Sequence, residues 1–178
     1  MADIAKAFFI TGISGSGKTT LAENLKKLLP KKQYRVHDFD EKGVPKNASY
    51  TWRYKTTDNW LKTAKKYQKA NVSMILCGQF VPSEVEKSSE FSKKLNIQWG
   101  FLHINSKEIE ERLSGKYRSL PPQKVQLFKK WAKTIQKEVE NQNKSVKTKD
   151  HEVFRTADKT PEQVAQLIVD WIQRQSSK

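Results

Sequence analysis

Eight consecutive residues carry the strongest chemical signal in this sequence. Gly12-Ile13-Ser14-Gly15-Ser16-Gly17-Lys18-Thr19 fills every fixed position of the pattern G-x-x-x-x-G-K-[ST]. The chemistry needs these residue types. Gly12, Gly15 and Gly17 reach backbone angles closed to other residues, and without side chains their N–H groups can close around one anion. Lys18 supplies a mobile cation for a transferred phosphate and its bridging oxygen, and Thr19 offers a hydroxyl to Mg²⁺. An apolar strand precedes the motif and an amphipathic helix follows, its positive end aimed at the same phosphates. The whole stretch from Gly12 to Thr20, with Ser14, Ser16 and Thr20 included, is expected to bind the phosphates of a nucleotide.

A second group of reactive side chains follows the next apolar run. Asp38-Phe39-Asp40 sets two carboxylates one residue apart. Alternate residues of an extended segment point the same way, so both carboxylates can face one pocket. Neighbouring carboxylates resist double ionisation unless a cation sits between them. The competing explanation is an Asx cap at a strand end. His37 points the opposite way and is expected to be buried or exposed without a role. Trp52, Tyr54 and Trp60 either wall a pocket or belong to the core.

These groups need elements to hold them. Ala7-Phe8-Phe9-Ile10 reads as a buried strand, and residues 19–29 as a helix with Leu21, Leu25, Leu28 and Leu29 on one side, stopped by Pro30. Tyr34-Arg35-Val36-His37 is a second strand. After the break at Gly43-Val44-Pro45, Thr57-Asp58-Asn59 caps a helix through Trp60, Leu61, Ala64 and Tyr67. Residues 72–77 form a third strand ending at Gly78-Gln79, residues 82–95 a mostly polar helix, and residues 97–104 a fourth strand. Ser106, Glu108 and Glu110 open the helix after it. Leu120-Pro121-Pro122 precedes a long helix over residues 123–140, and residues 141–150 form a Lys-rich loop. Val153-Phe154 lies in a short fifth strand. Thr160-Pro161-Glu162 starts the last helix, with Val164, Leu167, Ile168 and Trp171 inward. Five alternations of strand and helix predict an α/β fold, a five-stranded parallel sheet with helices on both faces, whose ligands bind beyond the carboxyl ends of the strands.

Composition sets outer bounds. A chain of 178 residues makes one ordinary domain, expected to span residues 1–178. No apolar run approaches the roughly 20 residues of a membrane span, and Met1-Ala2-Asp3-Ile4 has no secretory character. The single cysteine, Cys77, excludes an internal disulfide and points to a cytoplasmic location, with the thiol buried in an apolar run. Lys and Arg number 34 against 19 Asp and Glu, a formal charge of +15. Such a surface attracts nucleotides, phosphorylated metabolites or nucleic acid, unless the scattered lysine pairs only solvate helix faces.

The chain resembles the small kinases of the nucleoside-monophosphate-kinase-like P-loop group, which includes shikimate kinase, gluconate kinase and chloramphenicol phosphotransferase. The resemblance covers nearly the whole chain and is specific at Gly12 to Thr19. It implies a three-layer P-loop NTPase fold with a short lid at about residues 113–122, and ATP and Mg²⁺ as cofactors. It places Asp38 at the metal with Thr19, Asp40 at the acceptor hydroxyl, and Arg53, Gly78 and Gln79 around the acceptor. Arg112 and Arg118 reach the nucleotide and the transferring phosphoryl, so that Lys18, Asp40 and Arg118 form the catalytic set. Phe154-Arg155-Thr156-Ala157-Asp158 through Pro161 resembles the strand-turn-helix that walls the adenine, with Arg155 at the nucleotide. The glycine triplet of shikimate kinase after the third strand is missing, and residues 40–45 fit no characterised acceptor.

The expected activity is ATP- and Mg²⁺-dependent phosphoryl transfer to a hydroxyl or phosphate of a small molecule. Two alternatives stay open: a nucleotide or polynucleotide kinase, suggested by the charge, and a nucleotide-binding module without turnover. No N-K-x-D guanine signature occurs, which favours ATP over GTP. A membrane partner is not expected.

Overall fold

The computed structural model describes residues 5–80, 82–104 and 151–177, and between them residues 108, 111, 112, 115, 121–123, 125, 126, 129, 130, 133 and 137. The expected lid therefore lies mostly outside the described residues, as do Arg118, Ser106, Glu110 and the loop at 141–150.

Five strands form one sheet: β1 (Ala7–Gly12), β2 (Tyr34–Asp38), β3 (Ser73–Gly78), β4 (Ile97–His103) and β5 (His151–Arg155). Every pairing is parallel, and the order is β2-β3-β1-β4-β5. All residues of β1 and β3 are buried. Strands covered on both faces read as unbroken apolar runs, which is why Ala7-Phe8-Phe9-Ile10 and Met74-Ile75-Leu76-Cys77 show no alternation. Each face has its own core. Phe8 and Ile10 point toward α1 (Lys18–Leu28) and the last helix, α4 (Pro161–Ser176). Phe9 points to the other face, with Trp60 and Leu61 of α2 (Tyr50–Lys69) and with Phe80 and Trp99. Trp171 packs edge-on against Phe8 and Phe154, with centroids 5.3 and 5.4 Å away. A capping box at Thr160 and Gln163, followed by Pro161, fixes the start of α4.

The doubly covered parallel sheet is the fold expected from the sequence, with local differences. Helix α2 begins at Tyr50, capped by Ser49, whose hydroxyl accepts from the Trp52 N–H. Thr57 is buried inside this helix rather than capping it. Residues 82–95 are not one helix: α3 spans Pro82–Glu86 and a 3₁₀ turn spans Lys93–Leu95. Pro82, Val85 and Leu95 are buried and Phe91 packs against the core, a spacing that makes no continuous helical apolar stripe. Leu28 and Leu167 are 49% and 41% exposed. Leu29 takes the inward place at the end of α1, and Leu167 lies roughly a third of a turn from the buried arc of α4.

Because all five strands run the same way, their carboxyl ends share one edge of the sheet. In spatial order that edge carries Asp38, Gly78, Gly12, His103 and Arg155.

Candidate nucleotide and acceptor site

The central strand β1 ends in the glycine loop. Gly15 and Gly17 have φ of +83° and +93°, left-handed angles that other residues adopt at a cost. Gly12 is needed for a different reason. A Cβ there would stand 2.6 Å from Ser16 Oγ and 2.9 Å from the Leu102 carbonyl oxygen. The loop closes on itself through Ser16 N–H to Ile13 O at 3.1 Å. Gly17 then serves as the N-cap of α1, so the positive end of the helix opens at the loop. Lys18 Nζ donates to Ile13 O at 2.6 Å and lies 3.4 Å from Ser16 Oγ, which folds the ammonium back over the loop.

On the β4/β5 side of the loop lies a cavity of about 300 Å³, lined by Ser16, Gly17, Thr20, Arg112, Thr156 and Lys159 among others. Arg112 Nη1 donates to Gly15 O at 3.3 Å, and Nη2 pairs with Glu108 at 3.2 Å. Buried Thr156 fixes the far wall, its N–H and hydroxyl both donating to His103 O, at 3.0 and 3.3 Å. Of the residues expected at the nucleotide, Ser16, Gly17, Thr20 and Arg112 meet here. Gly12, Ser14, Gly15, Lys18 and Thr19 form the adjoining loop and helix start. Arg155 is exposed at the end of β5, one residue from the lining. Thr156, Lys159 and Pro161 of the lining fall in the stretch whose resemblance implied the adenine wall, although only Arg155 of that stretch was given a binding role.

On the other side, beyond β3, the structure sets the acidic turn. Asp38 ends β2, and residues 39–42 leave the extended conformation, with Glu41 N–H donating to Asp38 O at 3.1 Å and Gly43 N–H to Asp40 O at 2.8 Å. The two carboxylates are thus not related by strand alternation, contrary to the expectation from the sequence. Asp38 Oδ1 accepts the Asp40 N–H at 2.9 Å, an Asx turn that leaves its second oxygen for other use. Phe39, between them, is pinned: its N–H donates to Cys77 O at 2.7 Å, its carbonyl accepts from Trp60 Nε1 at 3.2 Å, and its ring packs on Trp52 and Phe80. His37 is half-buried and holds partners on both nitrogens. Nδ1 meets Glu41 Oε1 at 2.6 Å and Nε2 meets Tyr67 Oη at 3.2 Å. Glu41 also accepts the Asp38 N–H at 3.2 Å and pairs with Lys26 at 3.6 Å.

Arg53 lies on the first turns of α2 and reaches the end of β3. Its Nη2 donates to Gln79 O at 2.6 Å and to Glu84 Oε2 at 2.9 Å. Gln79 Nε2 is buried with no hydrogen-bond partner, a donor whose desolvation is uncompensated. Gly78 has a packing reason to be glycine: a Cβ there would fall 2.3 Å from that of Phe39. Trp60 belongs to the core and Trp52 packs against it, whereas Tyr54 is 47% exposed.

Cys77 lies between these two halves. Burial pushes its thiol far above the ordinary range, and the Asp38 carboxylate adds to this while the Lys18 and Lys26 ammonium groups oppose it. Among the described residues no cluster of three His, Cys, Asp or Glu could cage a metal. The oxygens of Thr19 and Asp38 are the hard, sparse donor set that suits Mg²⁺, which takes the rest of its shell from phosphates and water.

The sequence profile described as adenylylsulphate kinase matches residues 5–97, more than half of the chain. The chain belongs to the adenylylsulphate kinase family. No curated protein sequence matches the chain significantly. Solved structures similar to this family member include shikimate kinase from Acinetobacter baumannii in complex with shikimate, at 14% identity and a TM-score of 0.65, covering 99% of this chain and 97% of that one. A gluconokinase from Sinorhizobium meliloti aligns at 13% identity and TM-score 0.59, over 98% and 95% of the two chains. The APS kinase of Mycobacterium tuberculosis aligns at 12% identity and TM-score 0.54, over 95% and 97%. At these identities the neighbours establish the P-loop kinase fold. Family membership makes the chain a homologue of ATP-dependent phosphotransferases. No described helix is long and apolar enough to cross a membrane.

Proposed function

We propose that this chain is an ATP- and Mg²⁺-dependent kinase that phosphorylates a hydroxyl or phosphate group of a small molecule. One observation carries the reading: the glycine loop of β1 has a cavity on one side and a cluster of polar and acidic groups of different chemistry on the other. Beyond β4 and β5 lies the cavity of Thr20, Arg112, Thr156 and Lys159. Beyond β3 and β2 lie Gln79, Arg53 and the Asp38–Asp40 turn. A nucleotide entering the first with its phosphates on the loop amides points its terminal phosphoryl at the second. Transfer then needs positioning and charge stabilisation more than covalent chemistry.

In this reading Lys18 exchanges the Ile13 carbonyl for phosphate oxygens. Thr19 and Asp38 would hold Mg²⁺, Asp38 through water; when bound, the ion neutralises charge on the phosphates. Asp40 takes the proton of the attacking hydroxyl. Gln79 Nε2 and Arg53 orient the acceptor, and Arg112, with Arg118, meets charge on the moving phosphoryl. The test is transfer of radiolabel from γ-labelled ATP to a panel of hydroxyl and phosphate acceptors. With an acceptor in hand, Asp40→Asn should lower kcat about 10²–10⁴-fold while calorimetry shows ATP affinity nearly unchanged. Unaltered turnover removes Asp40 from the chemistry. ATP binding without transfer to any acceptor would favour a nucleotide-binding module.

A further inference from the structure

A further recess lies apart from the nucleotide cavity and borders the acidic turn. It is a groove of about 580 Å³ between the second half of α1 and the edge strand β2, lined by Glu23, Lys26, Lys27, Lys31, Tyr34 and Arg35 among others. Four of these side chains are cationic and one is acidic. Lys26 pairs with Glu41 at 3.6 Å across an exposed gap. Lys27, Lys31 and Arg35 form no close ion pair among the described residues, although the Lys27 charge is felt by the Glu162 carboxylate, and Arg35 spends one N–H on the neighbouring Tyr34 carbonyl. Lys26 and Lys27 close the last turn of α1, where positive charge complements the helix dipole. That account does not extend to Lys31 and Arg35, which lie past the helix on the connection and on β2.

Convergent cations on flexible arms, beside a sheet edge and in a chain of net charge +15, suit a ligand that presents phosphates in series. A compact anion would engage one or two of them; a strand of linked phosphates can engage all four. We infer that this groove binds the phosphate backbone of a single-stranded nucleic acid. The site is separate from the glycine loop, so the inference stands or falls independently of the kinase reading. Through the Lys26–Glu41 contact the groove abuts the acidic turn, so a strand seated there would lead toward Asp38 and Asp40.

Fluorescence anisotropy with a labelled 20-nucleotide oligouridylate tests this. Four phosphate contacts predict a slope of log K against log salt of about −3, hence roughly 50-fold weaker binding at 200 than at 50 mM salt. Lys27→Glu, Lys31→Glu and Arg35→Glu together should abolish binding at 50 mM salt. The milder triple change to Gln should flatten the slope by about 2 and leave Tm unchanged, which separates lost contacts from lost folding. Lys66→Glu, Lys69→Glu and Lys93→Glu, at exposed positions elsewhere, change charge equally and should cost less than about threefold. Equal loss in both charge-reversed triples, displacement of the RNA by polyglutamate of matched charge, or no binding at 50 mM salt would each overturn the inference.

Discussion

His37 Nδ1 and Glu41 Oε1 stand 2.6 Å apart, and through this pair the acidic turn is tied to α2. The other His37 nitrogen meets Tyr67 of α2, and the other Glu41 oxygen accepts the Asp38 N–H. Glu41 thus braces the segment that presents Asp38 and Asp40. Its replacement should loosen acceptor binding more than nucleotide binding. Glu41→Ala should raise KM for the acceptor about tenfold, the worth of one charge-assisted hydrogen bond in a partly exposed place. Glu41→Gln keeps one accepting oxygen and should fall between. KM for ATP should move less than about twofold, since the turn and the nucleotide cavity lie on opposite sides of β1. Steady-state kinetics in both substrates decides it; equal effects on both would assign Glu41 to folding alone.

Lys18 should behave differently. Its ammonium is held over the loop by Ile13 O at 2.6 Å and is positioned for phosphate oxygens. Lys18→Ala removes the only mobile cation within the motif and should weaken ATP binding, with kcat down about 10²–10³-fold. Lys18→Arg should not rescue, because a planar fork cannot replace a compact point charge under a folded loop. Calorimetry and turnover on the same preparations give both numbers.

How much of this was visible in the residue string depends on how local each feature is. The glycine loop is a contiguous stretch whose backbone angles dictate its glycines, so the turn and helix start from Gly12 to Thr19 were legible in the sequence. The two carboxylates were legible as a pair but not in their geometry, because the strand ends at Asp38 and the Asx turn takes over. Helix α2 was placed too late because Ser49 caps an aromatic first turn that carries no apolar stripe. Thr156 and Lys159 reach the nucleotide cavity only because β5 pairs with β4, a contact between residues about fifty apart in sequence. The same holds for Glu84, which meets Arg53 from 31 residues away. Such partners are set by topology, which a single sequence specifies only through its total pattern.

Gly78 offers a test of packing rather than contact chemistry. A methyl group there would approach Phe39 Cβ to 2.3 Å and Phe80 Cε1 to 2.9 Å. The first neighbour is close to the backbone and cannot rotate away. Gly78→Ala should therefore cost about 1–3 kcal/mol as overpacking, a Tm lower by about 2–4 °C for each kcal/mol. Since Phe39 lies between Asp38 and Asp40, the displaced ring should carry both carboxylates with it. Acceptor KM should rise with the fall in Tm, and scanning calorimetry beside kinetics would show the two together. A stable variant with intact kinetics would mean that the turn accommodates the methyl.

Cys77 links stability to pH. Its thiol is wholly buried on β3, and burial first, then the Asp38 charge, raise it far above the ordinary value. The folded state therefore holds this proton more tightly than the unfolded chain, whose thiol titrates near about 8.5. Stability owed to the neutral thiol is fully present below that pH and declines as pH rises above it, because the unfolded state then binds fewer protons. Tm should fall between about pH 8.5 and 10 by more than in Cys77→Ala, which has no thiol to titrate, although the smaller side chain lowers Tm at every pH. A thiol reagent such as dithionitrobenzoate at pH 8 should react with urea-unfolded chain within seconds and with native chain only as fast as it opens. Prompt labelling of the native protein would show that the sheet edge between Lys18 and Asp38 admits solvent, contrary to the burial on which this linkage rests.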